Sequence, residues 1–379
     1  MSQAASAAIP SSPGAAARSL ALVAVAAVVA AVVLAVALLA GPRYGLLLLI
    51  GLGFGLALEG FRFGFTGPWR RMILERDASG LLAQLICIAI VASAAFPLLA
   101  ANGAELKGAH APIGVAMIGG AFVFGAAMQI VLGCGSGTLV NAGSGNAIGA
   151  VALPFFAIGS FAGAYHLTWW TNLGSLPVMV LSGGQGLTIT LIGLAAVAGL
   201  ALMLGKRGSH RLPARYWGAI LALAGLAILH LIVAGQPWGV VYGLGLWVAK
   251  VVVAVGGDLS GSAFWSAPGN QAQLAASVLT DVTSLTDFGL IGGAALMAWW
   301  RAGLASPIGI LPARAWVAVI VAGLVLGYSS RLAFGCNIGA FFSGIGTGSA
   351  HGWVWFIAAF AGSWVGVRLR PWLGLEARK

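Results

Sequence analysis

Two cysteines occupy the same position in a motif that occurs twice along the chain. Cys134 lies in GCGSGT and Cys336 lies in GCNIGA, and both fit the pattern G-x7-G-C-x-x-G. The matched positions are Gly125 and Gly327, Gly133 and Gly335, Cys134 and Cys336, and Gly137 and Gly339. A lone motif of this kind is explained by close helix packing, but two copies favour a functional site.

Each cysteine follows a long apolar segment and opens a glycine-rich one. Glycine permits tight turns and leaves backbone N–H groups accessible. A short helix after each cysteine would direct its N-terminus, with partial positive charge and free donors, at a shared space that suits an anion. The sequence therefore predicts an anion site without a catalytic residue. Its predicted members are Cys134, Cys336, Gly133, Gly135, Gly335, Asn337, Arg331 and Arg62.

Three cations lie in or near apolar segments, where a charge costs about 2.5–3.5 kcal/mol. Arg331 precedes Cys336 by five residues, Arg62 lies in EGFRFGFTG, and Lys250 lies in a glycine-dense stretch. Each is a candidate for attracting an anion, and the alternative is that each side chain reaches to an interface. Glu59 could neutralise Arg62.

Other polar residues have competing interpretations. Asp281 and Asp287 could hold a coupling cation, but capping of a helix is the favoured role because Asp suits helix N-termini. Asn337 and Asn141 could donate hydrogen bonds to an oxyanion. The His, Cys and carboxylate residues show no metal-ligand spacing, and no P-loop is present, so no metal or cofactor is predicted.

Composition identifies the solvent around the protein. Of the 379 residues, 60% are apolar and 7% are charged, whereas soluble domains are about 25% charged. Lipid must therefore surround the chain, and its spanning segments must be helices because hydrocarbon offers no partners to an open backbone. The net charge of +11 indicates basic cytoplasmic loops rather than nucleic-acid binding. Three cysteines are too few and odd in number for a disulfide framework, and Cys87 is explained as a buried small apolar residue.

The fold class predicted is an all-α polytopic membrane protein with about nine transmembrane helices and short re-entrant helices. The nine apolar segments lie near 19–40, 81–100, 113–133, 146–165, 187–205, 217–234, 279–299, 314–334 and 351–369. Two further stretches, 45–66 and 238–256, are apolar but dense in glycine.

Basic residues assign the two sides of the membrane. Clusters at 70–76, 206–215, 301–314 and 368–379 face the cytoplasm by the positive-inside rule. The stretches 45–66 and 238–277 then begin and end on one side, which predicts re-entrant segments and a first helix that starts outside.

The repeated cysteine motifs follow helices of opposite direction in this topology. The two halves are therefore inverted, an arrangement that recurs in transporters with central sites and favours a transporter over an enzyme. The predicted division is a tail at 1–18, a first membrane repeat at 19–186, a connecting helix and basic loop at 187–216, a second repeat at 217–370 and a basic tail at 371–379.

Five segments resemble the YeeE/YedE family of bacterial membrane proteins, which includes thiosulfate-uptake permeases. They are GCGSGT at 133–138, PWGVVYGLGLWVAK at 237–250, DVTSLTDFG at 281–289, RLAFGCNIGAFFSGIGTGS at 331–349 and HGWVWF at 351–356. The resemblance covers most of the chain and is specific at the cysteine motifs.

This resemblance implies an hourglass-like protein of the bacterial inner membrane. In such a protein thiosulfate passes along cysteines at a central constriction through weak S–H···S hydrogen bonds, and Cys134 and Cys336 match two of these cysteines. A third is expected in an R-F-C-F pattern, where this chain has Gly64. That departure leaves open another sulfur or selenium species. The resemblance also implies a cytoplasmic TusA-like sulfur-carrier protein as partner.

Two other functions remain open. A membrane sulfurtransferase would hold a persulfide on Cys336, and a non-transporting subunit would scaffold a sulfur-carrier complex. The first needs a low-pKa thiol with a base nearby, and the second has no need of Arg331 inside the membrane.

Overall fold

The computed structural model describes residues 15–301 and 311–376. Most of the predicted tail at 1–18, and Arg378 and Lys379 of the predicted tail at 371–379, lie outside the described residues. The part of the chain that is described contains no β-strand.

The chain folds into helices of very different length. In chain order they are α1 Ala15–Ala40, α2 Pro42–Gly60, α3 Thr66–Glu75, α4 Ser79–Ala101, α5 Val115–Val131, α6 Gly135–Gly143, α7 Ala147–Tyr165, α8 Leu167–Thr171, α9 Gly183–Leu204, α10 Ala214–Ala234, α11 Val241–Ala254, α12 Pro268–Ala275, a 3-10 turn Val278–Thr280, α13 Val282–Arg301, α14 Ala313–Leu332, a π-helix Asn337–Phe342, α15 Ser343–Gly346 and α16 His351–Leu369.

The predicted all-α polytopic membrane protein is confirmed. Among the described residues, ten helices are long and apolar enough to cross a membrane. Large apolar side chains such as Leu38, Leu39, Ile192 and Met203 are exposed on their outer surfaces. Such a surface is stable only against hydrocarbon, because water would penalise every exposed apolar group.

Arginine contacts identify the two ends of the helix bundle. At one end, here called the basic face, Arg71 donates to the Tyr216 hydroxyl and Arg301 donates to the carbonyls of Glu59 and Gly60. At the other end, here called the opposite face, Arg43 donates to the carbonyls at the end of α10. Helices that join these two sets of residues therefore run the full length of the bundle.

The predicted re-entrant segment at 45–66 is wrong for most of its length. Helix α2 is unbroken from Pro42 on the opposite face to Gly60 on the basic face, so the described residues contain ten candidate spans and not nine. Its glycines serve packing: a Cβ on Gly51 or Gly55 would come within 2.4 Å or 2.2 Å of a backbone oxygen of α13. Small residues of this kind let helices approach closely in membranes.

Because α2 spans the bundle, the face on which α1 begins differs from the prediction. Gly45 of α2 packs against Ala37 and Val33 of α1, so the two helices form a hairpin that turns at Gly41. The turn lies on the opposite face beside Arg43. Helix α1 therefore begins on the basic face, and the predicted start on the outer side is wrong.

Two short segments do enter and leave by one face. Residues 61–78 contain α3 and stay connected to the basic face through Arg71. Residues 235–281 contain α11, which at 14 residues is too short to span. The second segment has the geometry of the re-entrant segment predicted at 238–256.

Four long helices of the first predicted half each pack along a helix of the second. Helix α2 packs along α13 and α4 along α10, while α7 packs along α14 and α5 along α16. This reciprocal pairing is what two related halves would produce. The division at 19–186 and 217–370 stays a prediction.

Glycines at these crossings predict a measurable difference between two substitutions on one helix. A Cβ on Gly125 of α5 would lie 2.0 Å from the Ala359 carbonyl oxygen, whereas a Cβ on Gly119 of α5 meets no atom within 4 Å. Gly125→Ala is expected to lower the free energy of unfolding by about 1–3 kcal/mol through overpacking. Gly119→Ala is expected to be neutral or stabilising, because alanine favours helix by about 1 kcal/mol. Thermal unfolding of both detergent-purified variants tests this, and equal midpoints would contradict it.

Candidate functional site

Both cysteines sit in breaks of the same shape. Cys134 joins α5 to α6 with φ −78° and ψ −165°, and Cys336 joins α14 to the π-helix with φ −93° and ψ −169°. Two residues before each cysteine, Leu132 and Phe334 have left-handed φ values of 53° and 55°. The motif repeated in the sequence is therefore repeated in the backbone.

The glycine before each cysteine lets the backbone turn tightly into the next helix. A Cβ on Gly133 would lie 2.8 Å from the Thr138 nitrogen, and a Cβ on Gly335 would lie 2.7 Å from the Ala340 nitrogen. Those two nitrogens donate to the carbonyls of Cys134 and Cys336 over 2.8 Å and 2.9 Å. Each cysteine is thus the residue that caps a new helix start.

The two breaks meet inside the protein. A Cβ on Gly135 would lie 2.8 Å from the Cys336 sulfur, so the second break packs directly on the first. The Cys336 thiol lies close to the backbone amides of Gly135, Ile338 and Gly339 and within electrostatic range of Cys134. The Cys134 sulfur lies 3.5 Å from the Ser136 hydroxyl. Both thiols are buried, so the structure brings together the two predicted cysteines and their glycines.

A cavity reaches this meeting point from the opposite face. It has a volume of about 330 Å³ and is here called the Arg331 cavity. Its wall includes Arg331, Cys336, Gly339 and residues 239–242 at the start of α11. The predicted site residues Arg331, Gly335 and Cys336 therefore line one space.

A second, smaller cavity lies on the basic face. It measures about 200 Å³ and is here called the Arg62 cavity. Its wall includes Arg62, Gly137 and residues 63–68 that lead into α3, together with Ser136, whose hydroxyl contacts Cys134. Leu132 and Gly137 here hold the same motif positions as Phe334 and Gly339 in the Arg331 cavity. Two equivalent cavities thus approach the cysteines from opposite faces.

Arg331 has an unusual environment for a cation. Its guanidinium carbon lies 4.7 Å from the centre of the Phe264 ring and 5.7 Å from that of Tyr242. Its Nε is buried without a hydrogen-bond partner. Aromatic faces stabilise a desolvated cation by about 2 kcal/mol, so positive charge is held at the cavity wall, where no carboxylate of residues 15–301 and 311–376 forms an ion pair with it.

The charges of Arg62 and Lys250 are each satisfied by neighbouring groups. The Arg62 side chain is 62% exposed and pairs with Glu59 at 3.2 Å, so it lies at the basic face rather than within the hydrocarbon. The Lys250 ammonium donates to the carbonyls of Gln273, Leu274 and Ala276. Lys250 therefore closes the end of α12 and is not directed at the cysteines.

Asparagine residues divide into two kinds. Asn337 follows Cys336, is fully buried, and has no partner for either side-chain polar atom. Buried amides normally find hydrogen bonds, so the Asn337 amide is unusual in keeping an unused donor and acceptor beside Cys336 within the described part of the chain. Asn141, by contrast, donates to the Leu132 carbonyl at the end of α5.

The sequence did not predict that the rings of Tyr242 and Phe264 lie beside Arg331. Tyr242 lies in the quoted segment PWGVVYGLGLWVAK, but no spacing relates Phe264 to Arg331. Only the path of the chain after α11 places Phe264 beside the guanidinium.

These features define an all-helical polytopic membrane protein whose two thiol-bearing helix breaks meet between cavities on opposite faces. The chain belongs to the family described as Sulphur transport, which matches residues 61–365. The resemblance to YeeE/YedE proteins is thereby confirmed.

Three relatives show the extent of the similarity. The chain is 28% identical over 165 residues to "Probable transporter YedE" of Escherichia coli K12 and 26% identical over 160 residues to the protein of that name in Salmonella typhimurium LT2. Those alignments cover 42% and 41% of this chain, but only 39% and 38% of the relatives' own length. This chain is also 25% identical over 342 residues to "Thiosulfate transporter TsuA" of Spirochaeta thermophila. That alignment covers 84% of this chain and 96% of that relative.

The environment of Arg331 predicts how the fold responds to its loss. Arg331→Met keeps most of the side-chain volume between the two rings and removes the desolvated charge. Because replacing a buried charge by an apolar group is often neutral or stabilising, its thermal midpoint without added anion is expected at or above that of the unmodified protein. Arg331→Ala, which leaves a void, is expected to be less stable than Arg331→Met. Unfolding of Arg331→Met at lower temperature than Arg331→Ala would show a structural role for the charge.

Proposed function

We propose that this chain carries a small sulfur-containing anion, thiosulfate, across the membrane between the Arg331 cavity and the Arg62 cavity. The observation that carries this proposal is the meeting of two cysteine-capped helix starts between cavities that open on opposite faces. Membership of the sulphur transport family and the printed name of the Spirochaeta relative support the choice of a sulfur anion.

The direction proposed is uptake into the cytoplasm of a bacterium through its inner membrane. The basic face corresponds to the cytoplasmic side by the positive-inside rule. The Arg331 cavity then opens outward, and its cation would draw an anion from that side. A cytoplasmic TusA-like sulfur-carrier protein stays the predicted acceptor at the basic face.

In the proposed route, the thiols favour a sulfur anion over sulfate. A thiol is polarisable and only a weak hydrogen-bond donor. It therefore binds the terminal sulfur of thiosulfate without competing strongly for oxygen atoms. Oxygen atoms would instead use the backbone amides at the helix starts and the free amide of Asn337. Weak contacts at Cys336 and Cys134 allow the anion to leave as readily as it arrives.

Substitution of the motif cysteines tests this route directly. Cys336→Ala and Cys134→Ala are each expected to reduce uptake of labelled thiosulfate into proteoliposomes at least about tenfold, or about 1.4 kcal/mol. Cys87→Ala is the matched control, because Cys87 is also buried but donates to the Ile220 carbonyl away from both cavities. Its uptake is expected to be unchanged.

The same variants separate transport from sulfur transfer. Mass spectrometry of the purified protein after turnover is expected to find no persulfide on Cys336. A stable persulfide there would support a membrane sulfurtransferase instead. Normal uptake by the Cys134→Ala/Cys336→Ala double variant would refute both roles.

Gly64 offers a test of substrate preference. A Cβ built on Gly64 meets no atom within 4 Å, and Gly64 lines the Arg62 cavity, so a thiol fits there. Gly64→Cys is expected to raise the preference for thiosulfate over sulfite and selenite about two- to fivefold, from about 0.5–1 kcal/mol for one weak hydrogen bond. Gly64→Ser, which has the same shape with oxygen in place of sulfur, is the control. Equal competition profiles for the two variants would contradict a thiol-based selectivity.

A further inference from the structure

One buried carboxyl group has no partner in the structure. The Asp287 side chain on α13 is fully buried, and neither of its oxygens has a hydrogen-bond partner. Asp281, at the start of the same helix, behaves differently because it accepts from the Ser284 amide at 2.7 Å. The capping role predicted for the two aspartates therefore holds for Asp281 and not for Asp287.

Asp287 lies directly behind the wall of the Arg331 cavity. Thr283 lines that cavity, and Asp287 follows it by four residues on the same face of α13. On the other side, α11 presents Gly243, where a Cβ would lie 3.0 Å from Asp287 Oδ2. The absence of a side chain at Gly243 leaves room for the carboxyl group beside the segment that forms the cavity.

No cation among the described residues neutralises Asp287. Within the described part of the chain, the charge that acts on Asp287 comes from Asp281, which has the same sign. From α11, Lys250 faces this region, but its ammonium is engaged by three carbonyls. The Tyr242 ring of α11 lies 5.7 Å from the Arg331 guanidinium carbon, and its hydroxyl donates to Asn270 Oδ1 at 2.9 Å.

The remaining titratable groups on packed elements are also engaged or distant. His230 of α10 contacts the Gln236 carbonyl through Nδ1 and the Thr286 hydroxyl through Nε2. The charged residues of α2, Arg43 and Glu59, lie at its two ends and are paired there. An ionised, unpaired carboxylate in such a place costs several kcal/mol, so Asp287 requires a bound proton or a metal cation.

The neighbouring oxygen atoms favour a proton. Metal cations that bind oxygen require about six ligands. The Ser284 hydroxyl already accepts from the Trp247 indole at 2.8 Å, and the Thr286 hydroxyl donates to the Val282 carbonyl at 2.9 Å. No group of three or more His, Cys, Asp or Glu side chains among the described residues could hold a metal ion, whereas a proton needs no ligand beyond the carboxylate itself.

We propose that Asp287 is a proton-binding site that couples anion uptake to entry of protons. The proposal rests on the function proposed above, since coupling requires an anion in the Arg331 cavity. An anion in that cavity adds negative charge beside Asp287 and so favours its protonated form. By linkage, the proton then favours binding of the anion to the same extent. Burial also raises the pKa of the neighbouring Asp281, although Ser284 and Lys250 oppose this effect.

Proteoliposomes with a clamped membrane potential test the coupling. For each coupled proton, accumulation of labelled thiosulfate is expected to rise tenfold per unit of imposed pH gradient, because one unit corresponds to a factor of ten in proton activity. Asp287→Asn keeps the shape of the protonated carboxyl. It is expected to lose this dependence while retaining exchange of internal for external thiosulfate without a gradient. Asp258→Asn is the control and is expected to behave as the unmodified protein, because Asp258 lies in an exposed loop and accepts hydrogen bonds from Ser260.

Several outcomes would overturn the inference. Asp287→Asn with undiminished response to the pH gradient would do so, as would uptake that requires sodium and ignores the gradient. A pH dye inside the vesicles supplies a test that needs no variant: thiosulfate entry without acidification would also overturn it. If the unmodified protein performed no exchange at all, the proposed function itself would fail. Exchange without coupling would refute only the role of Asp287.

Discussion

A backbone can be broken inside a membrane only where protein, and not lipid, surrounds the freed N–H and C=O groups. The breaks at Cys134 and Cys336 meet this condition by packing on each other. The start of α6 contacts the Cys336 sulfur. The backbone amides of both breaks are directed at the Cys336 thiol and not at hydrocarbon. The need to bury two broken helices therefore brings both thiols to one place.

The long helices make this burial possible by approaching each other closely. Gly125 packs against α16 and Gly327 against α7, each with space for hydrogen only, because a Cβ would lie about 2 Å from a carbonyl oxygen. These glycines precede the two cysteines at the same spacing. Each repeated motif thus contains both the residue that fixes the helix crossing and the break that the crossing supports, which explains why the whole pattern occurs twice.

Sequence reasoning predicted the features that depend on local spacing and charge. The fold class, the paired cysteine breaks and the position of Arg331 beside Cys336 follow from the repeated motif and the apolar composition. It failed where one residue type has two uses. Glycine density in α2 was interpreted as broken backbone, although Gly51 and Gly55 serve contact with α13. Lys250 was given as a candidate for attracting an anion, with reach to an interface as the alternative, whereas carbonyls at the end of α12 bind it. Both errors concern contacts between segments far apart in sequence.

The two cavities stabilise their arginine charges in different ways, and this difference favours one direction of transport in the proposed route. Arg331 is stabilised by aromatic rings and keeps a free Nε, whereas Arg62 is exposed and paired with Glu59. An anion in the Arg331 cavity meets uncompensated positive charge in a poorly hydrated site, where attraction is strong. An anion in the Arg62 cavity meets a neutralised pair near water, where attraction is weak and screened. In the proposed route the anion is therefore captured at the first cavity and released at the second. A proton on Asp287 would further strengthen capture without placing a carboxylate charge near the anion.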